Sequence, residues 1–235
     1  MPALSLVIPC YDEAKNLPDL IARCRGVIRQ ADIEIILVDN GSRDETPRIL
    51  AEALKSEKNL RSVRVEKNIG YGHGILTGLR AAKCSYLAWT HADLQTDPAD
   101  ILAGLKVLSM HPNGKIFIKG RRFGRSLSDA FFTFGMSCYE TSIFRTPFWD
   151  INGQPTIFPR KLFESWENPP DDFALDLYAY WSAQQQGYLI RRFPVHFGQR
   201  RYGTQSRWNL GWNSRLKMIK RVAGYSWQLR QKLVK

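Results

Sequence analysis

Short apolar runs alternate with segments of helical spacing through the first 120 residues, and this alternation restricts the fold more than any other feature. Leu4-Ser-Leu-Val-Ile-Pro9 reads as a short apolar strand. Residues 17–28 place Leu17, Leu20, Ile21, Cys24 and Ile28 at helical intervals. Glu34-Ile-Ile-Leu-Val-Asp39 reads as a second, buried strand, followed by a turn at Asn40-Gly41-Ser42 and a helix over 44–56. A third strand at 61–66, a Gly-rich helix at 69–83, a fourth strand at 85–90, a helix at 98–110 and a fifth strand at 115–120 continue the pattern. Strands separated by single helices predict βαβ units, hence an α/β, Rossmann-like, mostly parallel sheet with helices on both faces.

The second half is less regular. It predicts a partly helical aromatic-rich stretch at 121–145, a loop at 149–159, a helix at 172–186, a strand at 188–195, a basic loop at 199–207 and a long helix from about 209 onward. The expected organisation is one domain over 1–207, with halves of about 1–122 and 123–207, followed by a basic amphipathic helical tail over 208–235.

Charge divides along the same line. Residues 191–235 contain twelve Lys or Arg and no Asp or Glu, so the whole formal net charge of +12 sits in the last fifth of the chain. Such asymmetry points to an anionic partner: nucleic acid, an anionic membrane surface or a phosphorylated substrate. Its plain structural reading is a solvated basic helix. The four cysteines, Cys10, Cys24, Cys84 and Cys138, show no pairwise spacing. They read as reduced thiols of a cytosolic protein, not a zinc site or disulfide frame. No leader is visible and no apolar run approaches the roughly 18 residues of a membrane span, so the expected location is cytoplasmic.

In open α/β sheets ligands bind beyond the carboxyl ends of the strands. Four polar clusters fall there: Pro9-Cys-Tyr-Asp-Glu13, Asp39-Asn-Gly41, Glu66-Lys-Asn68 and His91-Ala-Asp93. The last continues to Gln95. If the strand stays extended, His91, Asp93 and Gln95 at i, i+2 and i+4 point the same way and can share one divalent cation. A cation with few protein ligands keeps open positions for diphosphate oxygens. The structural alternative is that Asp93 or Thr96 caps the helix starting near Pro98.

These clusters, in this order, resemble the inverting glycosyltransferases of family 2, which have the GT-A fold, and most of all the polyprenyl-phosphate sugar transferases such as dolichol-phosphate mannose synthase. Leu6 to Leu17 is similar to the family's opening strand and P-x-Y-N-E-x-x-N turn, and Ile35 to Thr46 to its VDDGSxDxT segment. Asn68 to Gly78 is similar to its N-x-G-x-G segment. His91 to Gln95 stands where the family has D-A-D-L-Q. Gly187 to Pro194 and Arg201 to Ser206 resemble its G-Y-x-I-x-E-x-P and R-x-x-G-x-S segments. The resemblance implies that Pro9, Tyr11, Glu13, Asp39, Asn68, Gly70 and Ala92 line the nucleotide site, with Glu13 accepting from base or ribose and Asp39 contacting the base. Asp93 would bind the metal with help from Gln95. His91 replaces the family's first aspartate. A neutral imidazole suits Mn²⁺ better than Mg²⁺, so Mn²⁺ is favoured and Mg²⁺ is the alternative. Whether His91 ligates the ion, touches the diphosphate or stands behind Asp93 stays open.

On the acceptor side the resemblance implies that Arg121, Arg122, Arg125, Arg200, Arg201 and Ser206 bind a phosphate, with Arg122 and Arg201 closest to catalysis. A lipid phosphate needs no base. A sugar hydroxyl would, and the family's base falls near Asp176, where Tyr178 replaces the second acid of its D-x-E; Asp171 and Asp172 stand just ahead. The final helix spaces Trp208, Trp212, Leu216, Ile219, Ala223 and Trp227 along one stripe beside Lys217, Lys220 and Arg221. Such a helix suits a membrane interface, and a membrane-anchoring subunit is compatible with it. The expected function is a metal-dependent inverting transfer from a nucleotide-diphospho-sugar to a polyprenyl phosphate, peripheral on the cytosolic face of a membrane. The alternatives are transfer to a sugar hydroxyl, a non-catalytic nucleotide-binding domain and a nucleic-acid-binding module. The expected partners include no nucleic acid. The sequence does not distinguish GDP from UDP donors.

Overall fold

Apolar content decides which strands lie at the centre of the sheet. In the computed structural model, which describes residues 4–55, 57–112, 114–200, 202 and 212–232, β1 (Leu4–Cys10) and β2 (Ile33–Asn40) are buried along nearly their whole length. Strands covered on both faces must be apolar on both, which is why neither alternates. β3 (Leu60–Val65) and β7 (Leu189–His196) do alternate, and they are the two edges of a seven-stranded sheet of order β3-β2-β1-β4-β6-β5-β7. β4 is Tyr86–Trp89, β5 Ile116–Phe123 and β6 Thr156–Pro159. β1 runs parallel to β2 and β4, and β5 parallel to β7, while β6 runs antiparallel to both β4 and β5.

The helices lie where the spacing predicts. α1 (Leu17–Ile28) buries Leu17, Leu20, Ile21, Cys24 and Val27; Val27, not Ile28, completes the core stripe. α2 is Thr46–Ala53, α3 Tyr71–Ala81 and α4 Asp100–Ser109. α3 packs close on the sheet because Gly78 has no side chain: a Cβ there would lie 2.3 Å from Val7 Cγ1 and 2.8 Å from Val38 Cγ2. A buried cluster from β1, β2, α1, α4 and β5 forms the core on one face.

Two departures concern the strands that follow α4. The stretch expected as loop at 149–159 contains β6, four residues wedged between β4 and β5 and too short to show a period. β5 runs to Phe123, past the expected end at 120, because β7 pairs with it to that residue. α6 (Arg160–Glu164), α7 (Leu175–Gln185), α5 (Leu127–Phe144) and α8 (Trp212–Lys232) complete the elements. Ser126 caps α5 by accepting from the Asp129 N–H.

The chain divides into two compact units: Met1–Phe123 with Gly153–Gly203, and Gly124–Asn152 with Thr204–Lys235. The division differs from the expected boundary at 207/208, because α5 packs on α8 and leaves the sheet-bearing unit. Within the smaller unit Glu140 is fully buried and accepts a 2.7 Å hydrogen bond from Ser226. Among the described residues no helix is long and apolar enough to cross a membrane. The cysteines are free thiols; Cys138 alone is exposed.

Candidate active site at the carboxyl edge of the sheet

The strand directions bring the polar clusters to one edge. β1, β2, β3 and β4 all end there, as do β5 and β7, and the start of β6 lies beside them because β6 runs the other way.

At the end of β2, Asp39 is 2% exposed. Its Oδ1 accepts the Ser42 N–H at 2.9 Å, which closes the turn, whereas Oδ2 is buried without a hydrogen bond and lies 3.6 Å from Arg64 Nε. A buried, unsatisfied carboxylate oxygen is costly unless a ligand supplies the donor. The β1–α1 turn is stapled to the β2–α2 turn. Asp12, at φ 52°, donates its N–H to Ser42 Oγ, and its carboxylate accepts from the Arg43 N–H. Glu13 N–H donates to Thr46 Oγ1. Pro9 is the penultimate residue of β1, and Tyr11, just past the strand, is 40% exposed. The Glu13 carboxylate has protein partners of its own. It accepts from Asn16 on one oxygen and from Arg200 on the other, so it ties the segment after β7 to β1. Burial pushes its pKa up, against the lowering influence of Asn16 and Arg200, and nearby Asp93 adds to the rise.

At the end of β4 the chain turns at once. The strand stops at Trp89, and Leu94 adopts φ 58°. Side-chain alternation therefore does not extend to Gln95, and the extended i, i+2, i+4 argument fails there. The Gln95 Nε2 donates to the Gly198 carbonyl, and the Gly198 N–H donates back to the Gln95 carbonyl at 2.7 Å, so Gln95 clamps the segment after β7. Asp93 is half-buried. Its Oδ1 accepts the Gln95 N–H at 3.2 Å, and among the described residues it has no further hydrogen-bond partner. The His91 ring stacks on Tyr71 (centroids 5.5 Å apart, 24° between planes), and its nitrogens make no hydrogen bond among the described residues. No group of three His, Cys, Asp or Glu side chains converges among the described residues. Asp93 and His91 would offer one hard and one borderline ligand, a chemistry that suits a divalent ion whose other positions are left to water or phosphate oxygens.

Gly70 and α3 form the wall beside it. A Cβ on Gly70 would lie 2.0 Å from the Asp171 carbonyl, and the Asn40 amide donates to the Gly70 carbonyl at 2.9 Å. Asn68 and Ala92 fall in the same loops, Ala92 buried. Asp171 pairs with His73 at 3.3 Å, and Asp172 accepts the Ala174 N–H ahead of α7. Asp176 is 2% exposed; Lys119 Nζ and Gln154 Nε2 both lie 3.5 Å from its Oδ1. Lys119 and Gln154 were not singled out in the sequence, since a lysine in an apolar strand and a glutamine in an irregular segment carry no local signal.

The arginines separate. Arg121 and Arg122 lie on β5, Arg121 exposed and Arg122 over the Phe197 ring at 5.3 Å. Arg125 belongs to the smaller unit, where it donates to Thr133 at 2.7 Å and lies 3.9 Å from Asp150. Arg200 pairs with Glu13. Arg201, Ser206 and Arg207 lie outside the described residues, as does Trp208.

Comparison with known proteins bears on the family and the fold. The model of "Glycosyl transferase family 2" matches residues 5–156. Among curated proteins, the undecaprenyl-phosphate 4-deoxy-4-formamido-L-arabinose transferases of Pseudomonas fluorescens Pf-5 and Pectobacterium carotovorum are 37% and 39% identical over 101 residues. That match covers 42% of this chain but only 30% and 31% of theirs, so the chain spans under a third of these relatives' length by similarity. Among solved structures, a mannosyltransferase of Pyrobaculum calidifontis, in complex with GDP-Man and Mn²⁺, superposes with TM-score 0.64 at 20% identity, over 86% of this chain and 58% of that one. Glucosyl-3-phosphoglycerate synthase of Mycobacterium tuberculosis, solved with Mn²⁺, UDP and glucosyl-3-phosphoglycerate, gives TM-score 0.69 at 16% identity over 97% and 80%. At these identities the structures show a shared GT-A fold. With a family model spanning more than half its length and its acids at the carboxyl edge of the sheet, the chain belongs to glycosyltransferase family 2.

Proposed function

We propose that this chain transfers a sugar from a nucleotide-diphospho-sugar to a polyprenyl phosphate, with inversion at the anomeric carbon. The donor reading rests on the edge described above. Asp39 offers one buried acceptor oxygen to a base N–H, and Asp93 and His91 are the residues that would hold a divalent ion. The ion, Mn²⁺ on the chemistry of an imidazole ligand, would supply neutralisation of the leaving diphosphate. The neighbours solved with Mn²⁺ support that choice.

One observation carries the acceptor class. A hydroxyl acceptor needs a base, whereas a phosphate is already an anion. Asp176 stands at the family's base position, yet it is buried and faces Lys119 and Gln154. A carboxylate buried so does not meet a substrate arriving from solvent. Arg121 and Arg122 at the same edge suit phosphate through their bidentate forks. The curated relatives, named for transfer to undecaprenyl phosphate, agree with this.

The smaller unit supports a peripheral place on the anionic, cytosolic membrane face. In sequence it carries ten Lys or Arg against three Asp or Glu, and two of those acids, Glu140 and Asp150, are buried. On α5, Leu127, Phe131 and Phe134 (91%, 73% and 51% exposed) line up at i, i+4 and i+7. On α8, Leu216 and Trp227 are exposed while Ser226 and Leu229 are buried. Apolar side chains facing out beside excess positive charge fit a lipid interface.

The test is release of nucleoside diphosphate from GDP- and UDP-sugars with Mn²⁺, with and without a short polyprenyl phosphate in detergent. Release that requires the lipid phosphate and disappears with EDTA is expected. Release indifferent to the lipid would move the acceptor to a hydroxyl, and binding of nucleotide without any release would leave a non-catalytic domain.

A further inference from the structure

Tyr71 stands at the centre of a chain of contacts that the transfer reaction as described does not use. Its ring stacks on His91 on the metal side and on Phe173 (centroids 4.9 Å, 12° between planes). Its hydroxyl accepts from Gln154 Nε2 at 2.6 Å, and the same Nε2 lies 3.5 Å from Asp176 Oδ1. Asp176 in turn faces Lys119, whose Nζ donates to Thr156 Oγ1 at 2.8 Å. The chain thus begins in β5 and β6 at the middle of the sheet and ends on the imidazole beyond β4. Lys119 and Thr156 are fully buried and Gln154 is 1% exposed, so the network sits in a region of low dielectric where its hydrogen bonds are strong and its members have few alternatives.

His91 is held differently from Asp93. The ring is gripped by its face, and its two nitrogens are left without hydrogen bonds among the described residues. Imidazoles that ligate metals are usually oriented through the second nitrogen by a carboxylate or carbonyl. Here the ring stack takes that place. Resting on the reading of His91 as a metal or diphosphate contact, we propose that Tyr71, held by Gln154, is the positioning residue that sets the His91 imidazole for that contact, and that Asp176 anchors Tyr71 through Gln154 and does not act as a base.

The assignment predicts coupling. Affinity for UDP and for GDP is measured by titration calorimetry with and without Mn²⁺, so the readout is the enhancement by the metal and not turnover. In the wild type Mn²⁺ tightens binding of at least one nucleotide. His91→Ala reduces that enhancement by about tenfold or more. Tyr71→Leu does the same, and the double variant loses no more than either single one, because both remove one unit. Tyr71→Phe and Asp176→Asn keep the ring and lose the anchor, giving a smaller loss of the same kind; they also cover the case in which Tyr71→Leu does not fold. Wild-type enhancement in Tyr71→Phe and Asp176→Asn together, or losses that multiply in the double variant, would overturn the assignment while leaving the donor site standing. A wild type that binds nucleotide with no response to Mn²⁺ would overturn the metal reading of His91 and this assignment with it. No nucleotide binding at all would overturn the donor site itself.

Discussion

At the scale of single residues, the acids of the sheet edge divide into committed and available groups. Glu13, expected at the nucleotide, and Asp176, expected as base only for a hydroxyl acceptor, both have protein partners. Asp39 and Asp93 keep open capacity. Nothing in the sequence separates these pairs, because all four are acids near strand or helix ends. Two predictions belong here. Asp39→Asn puts an amide in a site whose one open atom is an acceptor, so nucleotide affinity should fall by roughly 1–3 kcal/mol. Calorimetry checks this, and unchanged affinity would remove Asp39 from the base site. Asp93→Ala should lower turnover roughly 100-fold or more with little change in thermal stability. A variant that loses stability in step with activity would mark Asp93 as a turn former instead.

At the scale of elements, period and length set what could be read. α1 and the central strands were legible because twelve and eight residues suffice to show a stripe or a continuous apolar run. β6, with four residues, was not. The helices of the smaller unit carry two further predictions. Leu127→Glu with Phe131→Glu should abolish flotation with phosphatidylglycerol vesicles while leaving calorimetric nucleotide binding unchanged. Retained flotation would place the lipid contact elsewhere. Glu140 is the second case. Burial pushes its pKa up to about 7, the Ser226 hydrogen bond opposing. An acid whose pKa is raised in the folded state destabilises the fold as pH rises from the unfolded value near 4.3 towards 7, with no further change above that. Glu140→Gln should therefore flatten the loss of melting temperature between pH 5 and pH 8 and leave the variant the more stable at pH 8, by an amount on the order of 3 kcal/mol at most. Parallel melting curves for the two proteins over that range would contradict it.

At the scale of the whole molecule, charge and topology are separate matters. The excess of positive charge is a property of the chain's last fifth, and it predicts that vesicle binding weakens as salt rises from 50 to 500 mM. Binding indifferent to salt would leave the apolar stripe as the whole of the attraction. The amino-acid sequence by itself determined the α/β class, the strand ends where ligands must sit and the location of the charge, because hydrophobic period and charge are local quantities. The tertiary structure alone decided the rest. It placed the antiparallel β6 between β4 and β5, joined α5 to α8 across some seventy residues of intervening chain, and closed the Lys119–Asp176–Gln154–Tyr71–His91 chain of contacts. Those depend on which distant segments share a register or a buried partner, and no local pattern encodes that choice.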